Sequence, residues 1–240
     1  MHGKAKTLGT RNQPEQTKTA ILAAALEEFA SHGVAGARTD AIANAAGVNK
    51  ALLYYYFKDK ETLYGATLES VFAGITARIV PVLDSNLPPR EKMLAYVGAH
   101  FDAVAGNPLY PRLVQQEMMR AGKGLSPHLQ RIVEKYQRPM FGKLMRLFED
   151  GIGAGEFRKV DVFQFVPSMV AIIVFYFSST PMLRSFMPGD PLSPERIAAR
   201  RAAVLDFISA ALFIEKSAQT RKSRPVPAEG SRDHTREERR

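Results

Sequence analysis

The 240-residue sequence predicts an all-α protein with about nine helices. Glycines and prolines divide the chain into segments of helical length, and apolar residues recur at i and i+4 within them. The period-2 alternation that is typical of strands is scarce. We therefore expect an N-terminal three-helix head that contains a helix-turn-helix, followed by a larger C-terminal helical domain.

The first predicted helices belong to the head. A helix that ends at Gly33 carries one apolar face, formed by Ile21, Leu22, Ala25, Leu26 and Phe29. Short helices separated by a glycine are expected over about 39–46 and 50–57. Asp59 is placed to cap the next, longer helix, which should end near Pro81 because proline interrupts the hydrogen bonds of a helix.

The remaining helices form the predicted C-terminal domain. They are expected over about 89–106, 111–120, 127–150, 161–177 and 195–214, with a turn at AGKG, a helix-to-helix loop at GIGAGEF and a Pro-rich connector over 181–194. No charged residue occurs between Val162 and Leu183, but polar residues and prolines interrupt this stretch. A membrane-spanning helix needs about 20 mainly apolar residues. We therefore interpret the stretch as a buried helix and expect no contact with a membrane.

The formal net charge of +9 and the pI near 9.8 suggest an anionic partner such as nucleic acid. Residues 216–240 carry eight basic and four acidic side chains, which is +4 of this excess. A solvated, disordered tail is the simpler interpretation of this segment, and a DNA-binding arm is the alternative. Residues 1–13 form a basic arm with no apolar stretch behind it, so they do not resemble a signal peptide.

Residues 38–57 have the layout of a helix-turn-helix. Ile42 and Ala46 would face inward from the first helix, and Gly47 stands where the chain needs a left-handed backbone conformation. Val48 would close the core between the two helices. Asn49 could cap the second helix with its side-chain oxygen.

The helix that begins at Lys50 has two faces with different predicted roles, because residues three and four apart share a face. The core face comprises Leu53, Tyr56 and Phe57. The opposite face is free to enter a major groove and comprises Lys50, Ala51 and Tyr54, flanked by Leu52 and Tyr55. For Tyr54 and Tyr55 we predict DNA contact, with exposed packing as the alternative.

This stretch resembles the DNA-binding region of the TetR family of bacterial transcriptional repressors, which reads approximately I-A-x-x-A-G-V-S-K-x-x-L-Y-x-Y-F-x-x-K-E-x-L. The matching residues, in register, are Ile42, Ala43, Ala46, Gly47, Val48, Asn49, Lys50, Leu53, Tyr54, Tyr56, Phe57, Lys60, Glu61 and Leu63. The resemblance covers about residues 18–65. It implies a DNA-binding domain over 14–60 and a ligand-binding and dimerisation domain over 61–215. The chain departs from the pattern at Asn49, where serine is usual, and at Arg38-Thr39, where a threonine pair is common.

The resemblance implies that one set of side chains contacts DNA: Thr39, Asn49, Lys50, Ala51, Leu52, Tyr54, Tyr55 and Lys60. Lys50 can donate to guanine or phosphate, the tyrosine hydroxyls can donate to phosphate, and Leu52 can contact a thymine methyl. Thr39 and Lys60 would meet the DNA backbone from the start of a helix. Such a regulator is expected to act as a homodimer on a palindromic double-stranded operator.

The resemblance also implies a small, mostly apolar effector that releases the operator. The candidate pocket residues are Tyr96, His100, Phe101, Met118, Arg120, Phe141, Met145, Phe148, Phe175 and Tyr176. Such side chains line apolar pockets, and His100 or Arg120 could orient a ligand, but ordinary core packing is the alternative for each. The helices over 161–177 and 194–214 could form a four-helix dimer interface, unless the first is internal to one subunit.

The sequence offers little support for an enzyme. It has no cysteine, which excludes thiolate metal sites and cysteine nucleophiles and fits a reducing cytoplasm. None of the five histidines has a paired metal-ligand spacing, and there is no Walker A loop or nucleophile elbow. We expect no metal and no cofactor. The other alternative is an architectural DNA-binding protein that needs no ligand, which would bind with a steep salt dependence and no preferred sequence.

Overall fold

The computed structural model describes residues 14–120 and 124–215, and within these ranges the protein is all-α, as predicted. The only strand-like feature in the described ranges is an isolated bridge between Phe157 and Phe213. The predicted arm over 1–13 and the predicted tail over 216–240 lie outside the described residues, as does most of the AGKG turn.

The head contains three helices: α1 (Pro14–Gly36), α2 (Thr39–Ala45) and α3 (Lys50–Tyr56). α1 breaks at Gly33, the predicted end, where the backbone takes φ 65 and ψ 174 before one more turn. Glycine adopts this conformation without a steric penalty. The buried residues of α1 are Thr17, Ile21, Ala25, Phe29 and Ala30, and the helix packs on α2 and on the long helix that begins at Lys60.

α4 (Lys60–Leu83) leads from the head into the larger domain. It begins at the predicted cap, because the Asp59 side chain accepts a hydrogen bond from the Thr62 N–H at 2.7 Å. The helix runs slightly beyond its predicted end near Pro81. A proline in the last turn removes one intrahelical bond, and the Asp84 N–H still donates to the Val80 carbonyl at 2.9 Å.

The middle of the chain matches the predicted helices. α5 (Pro89–Ala105) and α6 (Tyr110–Arg120) are followed by one continuous helix, built from α7 (Pro127–Ile132), a π-helical segment (Val133–Gln137) and α8 (Arg138–Gly153). α8 therefore includes the first glycines of GIGAGEF, and the chain turns at Gly155, where φ is 69.

The last three helices are α9 (Val162–Ser178), α10 (Thr180–Phe186) and α11 (Pro194–Leu212). The sequence predicted α9 and α11 but assigned α10 to a Pro-rich connector. Pro181 lies in the first turn of α10, where a helix does not need the missing N–H, so this proline begins a helix instead of preventing one.

Two stretches are long and apolar enough to cross a membrane when length and composition alone are considered. They are α4, and α9 with α10 if their 64° bend is ignored. α4 carries Glu69 and Arg78 and packs its apolar face against α1 and α5. This is the packing of a core helix in a helical protein.

Candidate nucleic-acid interface

The helix-turn-helix has the local geometry that the sequence predicts. Gly47 follows α2 with φ 68, and the Val48 N–H donates to the Ala43 carbonyl at 3.0 Å. The Asn49 side chain accepts from the Leu52 N–H at 2.8 Å and so caps α3. An N-cap of this kind stabilises a helix by about 1 kcal/mol, which matters for a helix of seven residues.

The two faces of α3 differ sharply in exposure. Leu53 and Phe57 are buried and Tyr56 is half-buried, so the predicted core face is inward. On the other side Tyr54 is 39% and Tyr55 is 80% exposed. Lys50 and Ala51 are exposed as well, while Leu52 is half-buried against the core. α3 thus presents a polar and aromatic surface to solvent.

Thr39 and Tyr54 lie together, although 15 residues separate them in the chain. The Thr39 Oγ1 and the Tyr54 hydroxyl are 3.2 Å apart and share a hydrogen bond. Thr39 is at the start of α2 and Tyr54 is in the middle of α3. The two hydroxyl groups, both predicted to bind phosphate, therefore lie side by side on the head, where one phosphate oxygen could contact both.

Lys50 is paired with a carboxylate that the sequence analysis did not single out. The Lys50 Nζ lies 3.0 Å from Asp40 Oδ1 and 3.1 Å from Asp40 Oδ2. The hydrogen bond and the charge of Asp40 raise the pKa of Lys50 above its usual value. Sequence spacing gave no signal of this pair, because its members are on different helices and ten residues apart.

Lys60 contacts the protein itself. Its Nζ donates to the carbonyl oxygens of Ala35 and Ala37, at 3.3 Å and 3.2 Å, and so ties the start of α4 to the end of α1 and the residue that follows it. Two hydrogen bonds within the protein therefore engage the ammonium group of Lys60. A contact between Lys60 and DNA stays a prediction.

A charged cluster connects the first turn of α4 to α6 and α7. Arg120 donates to Glu61, with 2.8 Å between Nη2 and Oε1, and to Glu117, with 2.9 Å between Nε and Oε2. The His128 Nε2 lies 3.0 Å from Glu61 Oε1, and the Ser126 hydroxyl donates to Glu117. Glu61 is separated from α3 by only a short turn, so the cluster holds the larger domain close to α3, which has the position of the recognition helix in a helix-turn-helix.

The Glu117 carboxylate has no solvent exposure, so its charge depends on these partners. Burial would raise its pKa, but the hydrogen bonds from Arg120 and Ser126 outweigh this effect and the pKa is lowered. The hydrogen bond to Glu117 is in turn the largest cause of the raised pKa of Arg120. The pair is ionised, and its two charges stabilise each other.

The structure distributes the effector candidates over three environments. Tyr96, His100, Phe101, Phe148 and Tyr176 are buried; Phe141 and Met145 are half-buried; Met118, Arg120 and Phe175 are exposed. Met118 and Phe175 line a shallow groove of about 280 Å³ between α6 and α9. Arg120 belongs to the charged cluster described above. The ten residues do not form one pocket, and their role in binding an effector stays a prediction.

The best-supported members of this set are Tyr96 and His100, one turn apart on α5. Their rings are 5.9 Å apart, and the Tyr96 hydroxyl and the His100 Nδ1 are buried without a hydrogen-bond partner among the described residues. Burial lowers the pKa of His100 to about 4, so its imidazole is neutral near pH 7. Buried polar groups usually have partners, so these two atoms could receive a polar group of a ligand.

α3 follows a glycine turn, is capped by Asn49, and exposes a lysine and two tyrosines to solvent. This is the arrangement of a helix-turn-helix DNA-binding protein. Comparison with known proteins gives the family. Residues 21–67 match the family model described as "Bacterial regulatory proteins, tetR family". Residues 89–208 match "Tetracyclin repressor-like, C-terminal domain". The chain belongs to the TetR family of transcriptional regulators, which are not enzymes.

Individual relatives agree with this assignment. The chain is 38% identical over 126 residues to the transcriptional repressor SCO4008 of Streptomyces coelicolor, and the match covers 52% of this chain and 62% of that protein. It is 25% identical over 199 residues to the repressor KstR2 of Mycolicibacterium smegmatis, covering 82% and 92%. Among solved structures, SCO4942 from Streptomyces coelicolor superposes with a TM-score of 0.62 at 29% identity, covering 82% and 98%.

Proposed function

We propose that this TetR-family protein is a ligand-responsive homodimer that represses transcription by binding a palindromic operator through α3. The observation that carries the proposal is the solvent-facing side of α3. It combines a cation with exposed tyrosines at the end of a helix-turn-helix. The DNA-binding domain would comprise residues 14–60, and residues 61–215 would bind the effector and form the dimer. Access to chromosomal DNA requires a cytoplasmic protein.

The proposed DNA contacts follow from exposure and donor chemistry. Lys50, Tyr54 and Tyr55 would enter or border the major groove, and Thr39 would share a phosphate with Tyr54. Asn49 and Ala51 are exposed at the start of α3, close enough to the groove to contact its edge. Leu52 would reach a thymine methyl only with its exposed part. Lys60 would need to leave the carbonyls of Ala35 and Ala37.

Exposed faces of α9 and α11 support the proposed dimer. The solvent-facing side of α9 has no charge and carries Phe163 and Phe175, which are 66% and 63% exposed. On α11 half of the ten exposed residues are alanines and Phe207 is 58% exposed, while the charged residues Glu195, Arg196 and Asp206 are exposed as well. Small side chains allow close helix packing, and exposed apolar faces of this kind typically mark interfaces. Pairing them across a two-fold axis would form a four-helix bundle.

The proposed effector is a small, mostly apolar molecule with at least one polar group. It would bind in the C-terminal domain near Tyr96 and His100, whose unpartnered atoms could hold that group. Binding would displace α4, which continues directly into the head, and would change the distance between the two recognition helices. The operator affinity would then fall because the half-sites no longer match. If an effector releases DNA while the distance between recognition helices stays fixed, this mechanism is wrong.

The test is enrichment of a random-sequence duplex library by the purified protein over several rounds. We expect an inverted repeat, and we expect Lys50→Gln to weaken binding to it. Arg146→Gln is the matched control, because it removes the same charge from the exposed side of α8, where the described residues offer it no partner.

Enrichment of no sequence, with binding that disappears as salt rises, would contradict the proposal and support an architectural protein. Equal loss of binding in both variants would mean that net charge, and not α3, accounts for the affinity.

A further inference from the structure

A cleft of about 280 Å³ lies between the head and the larger domain, and neither Tyr96 nor His100 lines it. Its walls come from α1, α4 and α5. The floor is apolar and includes Leu22, Leu26, Val71 and Ile75. The volume is close to the lower end of known ligand pockets, which is roughly 300 Å³. An occupant of this cleft would contact both the head and the larger domain.

Arg78 stands on the rim of the cleft with most of its hydrogen-bonding capacity unused. Its Nη1 lies 3.5 Å from the carbonyl oxygen of Asp102, and no carboxylate of the described residues is within salt-bridge distance. The nearby Asp102 side chain is already taken by Arg201, through bonds of 2.8 Å and 3.1 Å. A guanidinium group has five N–H donors in a planar fork that matches a carboxylate.

Gly74 is the one residue without a side chain on the α4 wall of the cleft. It lies inside α4, where glycine destabilises a helix relative to alanine. Its φ is not positive, and a Cβ placed there would meet no atom within 4 Å. Neither backbone conformation nor close packing therefore accounts for this glycine. A side chain at this position would instead extend into the open space of the cleft.

We propose that this cleft binds a small organic carboxylate, with its apolar body on Leu22, Leu26, Val71 and Ile75 and its carboxylate paired with Arg78. An apolar floor beside an unpaired cation favours an amphipathic anion over a neutral apolar molecule, because the guanidinium gains a charge-assisted partner. Because the site joins α1 to α4 and α5, its occupation holds the head in one orientation. This second ligand site is independent of the effector site near Tyr96 and His100.

The experiment measures binding of octanoate and phenylbutanoate to the full-length protein by calorimetry, with octanol and phenylbutanol as uncharged counterparts. Gly74→Leu fills the cleft, and Arg78→Gln removes the cation. Gly142→Leu is the matched control, since Gly142 is also a helical glycine whose Cβ would meet nothing within 4 Å. Tyr96→Phe tests the effector site. Thermal melting establishes that each variant is folded.

We expect at least one carboxylate to bind wild type, Gly142→Leu and Tyr96→Phe equally, and Gly74→Leu to lose this binding. Arg78→Gln should weaken carboxylate binding about 10- to 100-fold and leave alcohol binding unchanged, since a hydrogen bond to a charged group is lost. The proposal is overturned if neither carboxylate binds wild type at about 1 mM. It is also overturned if Gly74→Leu binds the carboxylate as tightly as wild type does. Loss in Tyr96→Phe alone would assign the ligand to the effector site. None of these outcomes depends on operator binding, so the two proposals can fail separately.

Discussion

Among single residues, the pair formed by Asp40 and Lys50 would determine how much positive charge the head presents to DNA under the proposed function. The pair is exposed, with 3.0 Å between Lys50 Nζ and Asp40 Oδ1. Exposed ion pairs contribute little to stability, so this contact matters mainly for binding. If Lys50 contacts DNA as proposed, Asp40 competes with phosphate for its ammonium group.

Asp40→Asn should therefore tighten binding to non-operator DNA and steepen its salt dependence by about one phosphate contact, since a freed Lys50 displaces one more counterion. The measurement is the slope of the logarithm of affinity against the logarithm of salt concentration. In a Lys50→Gln background the same substitution should change the slope little. Asp150→Asn, an exposed carboxylate of α8, is the control. An unchanged slope in Asp40→Asn would refute the competition.

His100 makes stability depend on pH. Burial depresses its pKa from the usual 6.5 to about 4, so below pH 6.5 the unfolded chain binds a proton that the folded protein does not. The free energy of unfolding should thus be highest above pH 6.5 and fall by up to an amount on the order of 3 kcal/mol as pH drops toward 4. Urea denaturation of wild type and His100→Leu would check this, because the substitution removes the titrating group. His32→Gln, at an exposed position, is the control. The prediction is contradicted if the free energy of unfolding of His100→Leu changes with pH as much as that of wild type.

At the scale of elements, local signals account for where helices begin and turn. Asn49 and Asp59 each cap a helix through the side-chain bond that the sequence predicts. Gly47 adopts the positive φ that the sequence predicts, and Gly33, the predicted end of α1, has a positive φ as well. α10 was missed because Pro181 marks either a connector or a first helical turn, and only the packing of the neighbouring helices decides between them.

The charged cluster between α4, α6 and α7 predicts an unequal response to two substitutions. Arg120→Met should reduce the free energy of unfolding by about 3 kcal/mol, since it leaves the Glu117 carboxylate buried without its cation. Glu61→Gln should cost less than about 1 kcal/mol, because Glu61 is half exposed and water can replace its partner. Chemical denaturation of both variants measures the difference. If both substitutions reduce the free energy of unfolding by similar amounts, the burial of Glu117 does not determine how much the cluster stabilises the protein.

For the whole molecule, the exposed apolar side chains of α9 and α11 form the proposed dimer interface. Phe207→Arg places a charge on the proposed interface and should raise the dimer dissociation constant at least about tenfold, as loss of a central aromatic anchor does. Sedimentation analysis over a range of protein concentrations would measure this. The matched control is Met119→Arg, on α6, where the side chain is 76% exposed. If both variants dimerise as strongly as wild type does, the interface lies elsewhere.

The sequence by itself determined the helical architecture, the helix-turn-helix, its caps and the outward side of α3, because these depend on residues within a few turns of each other. Only the tertiary structure decided which charged groups meet. The contacts of Lys50 with Asp40, of Lys60 with the carbonyls of Ala35 and Ala37, and of Arg120 with Glu61 each join separate segments of the chain. Their geometry depends on how the helices cross, which a linear pattern does not encode. For the same reason, the sequence pattern indicated ten candidate effector residues without distinguishing the buried ones from those on the surface.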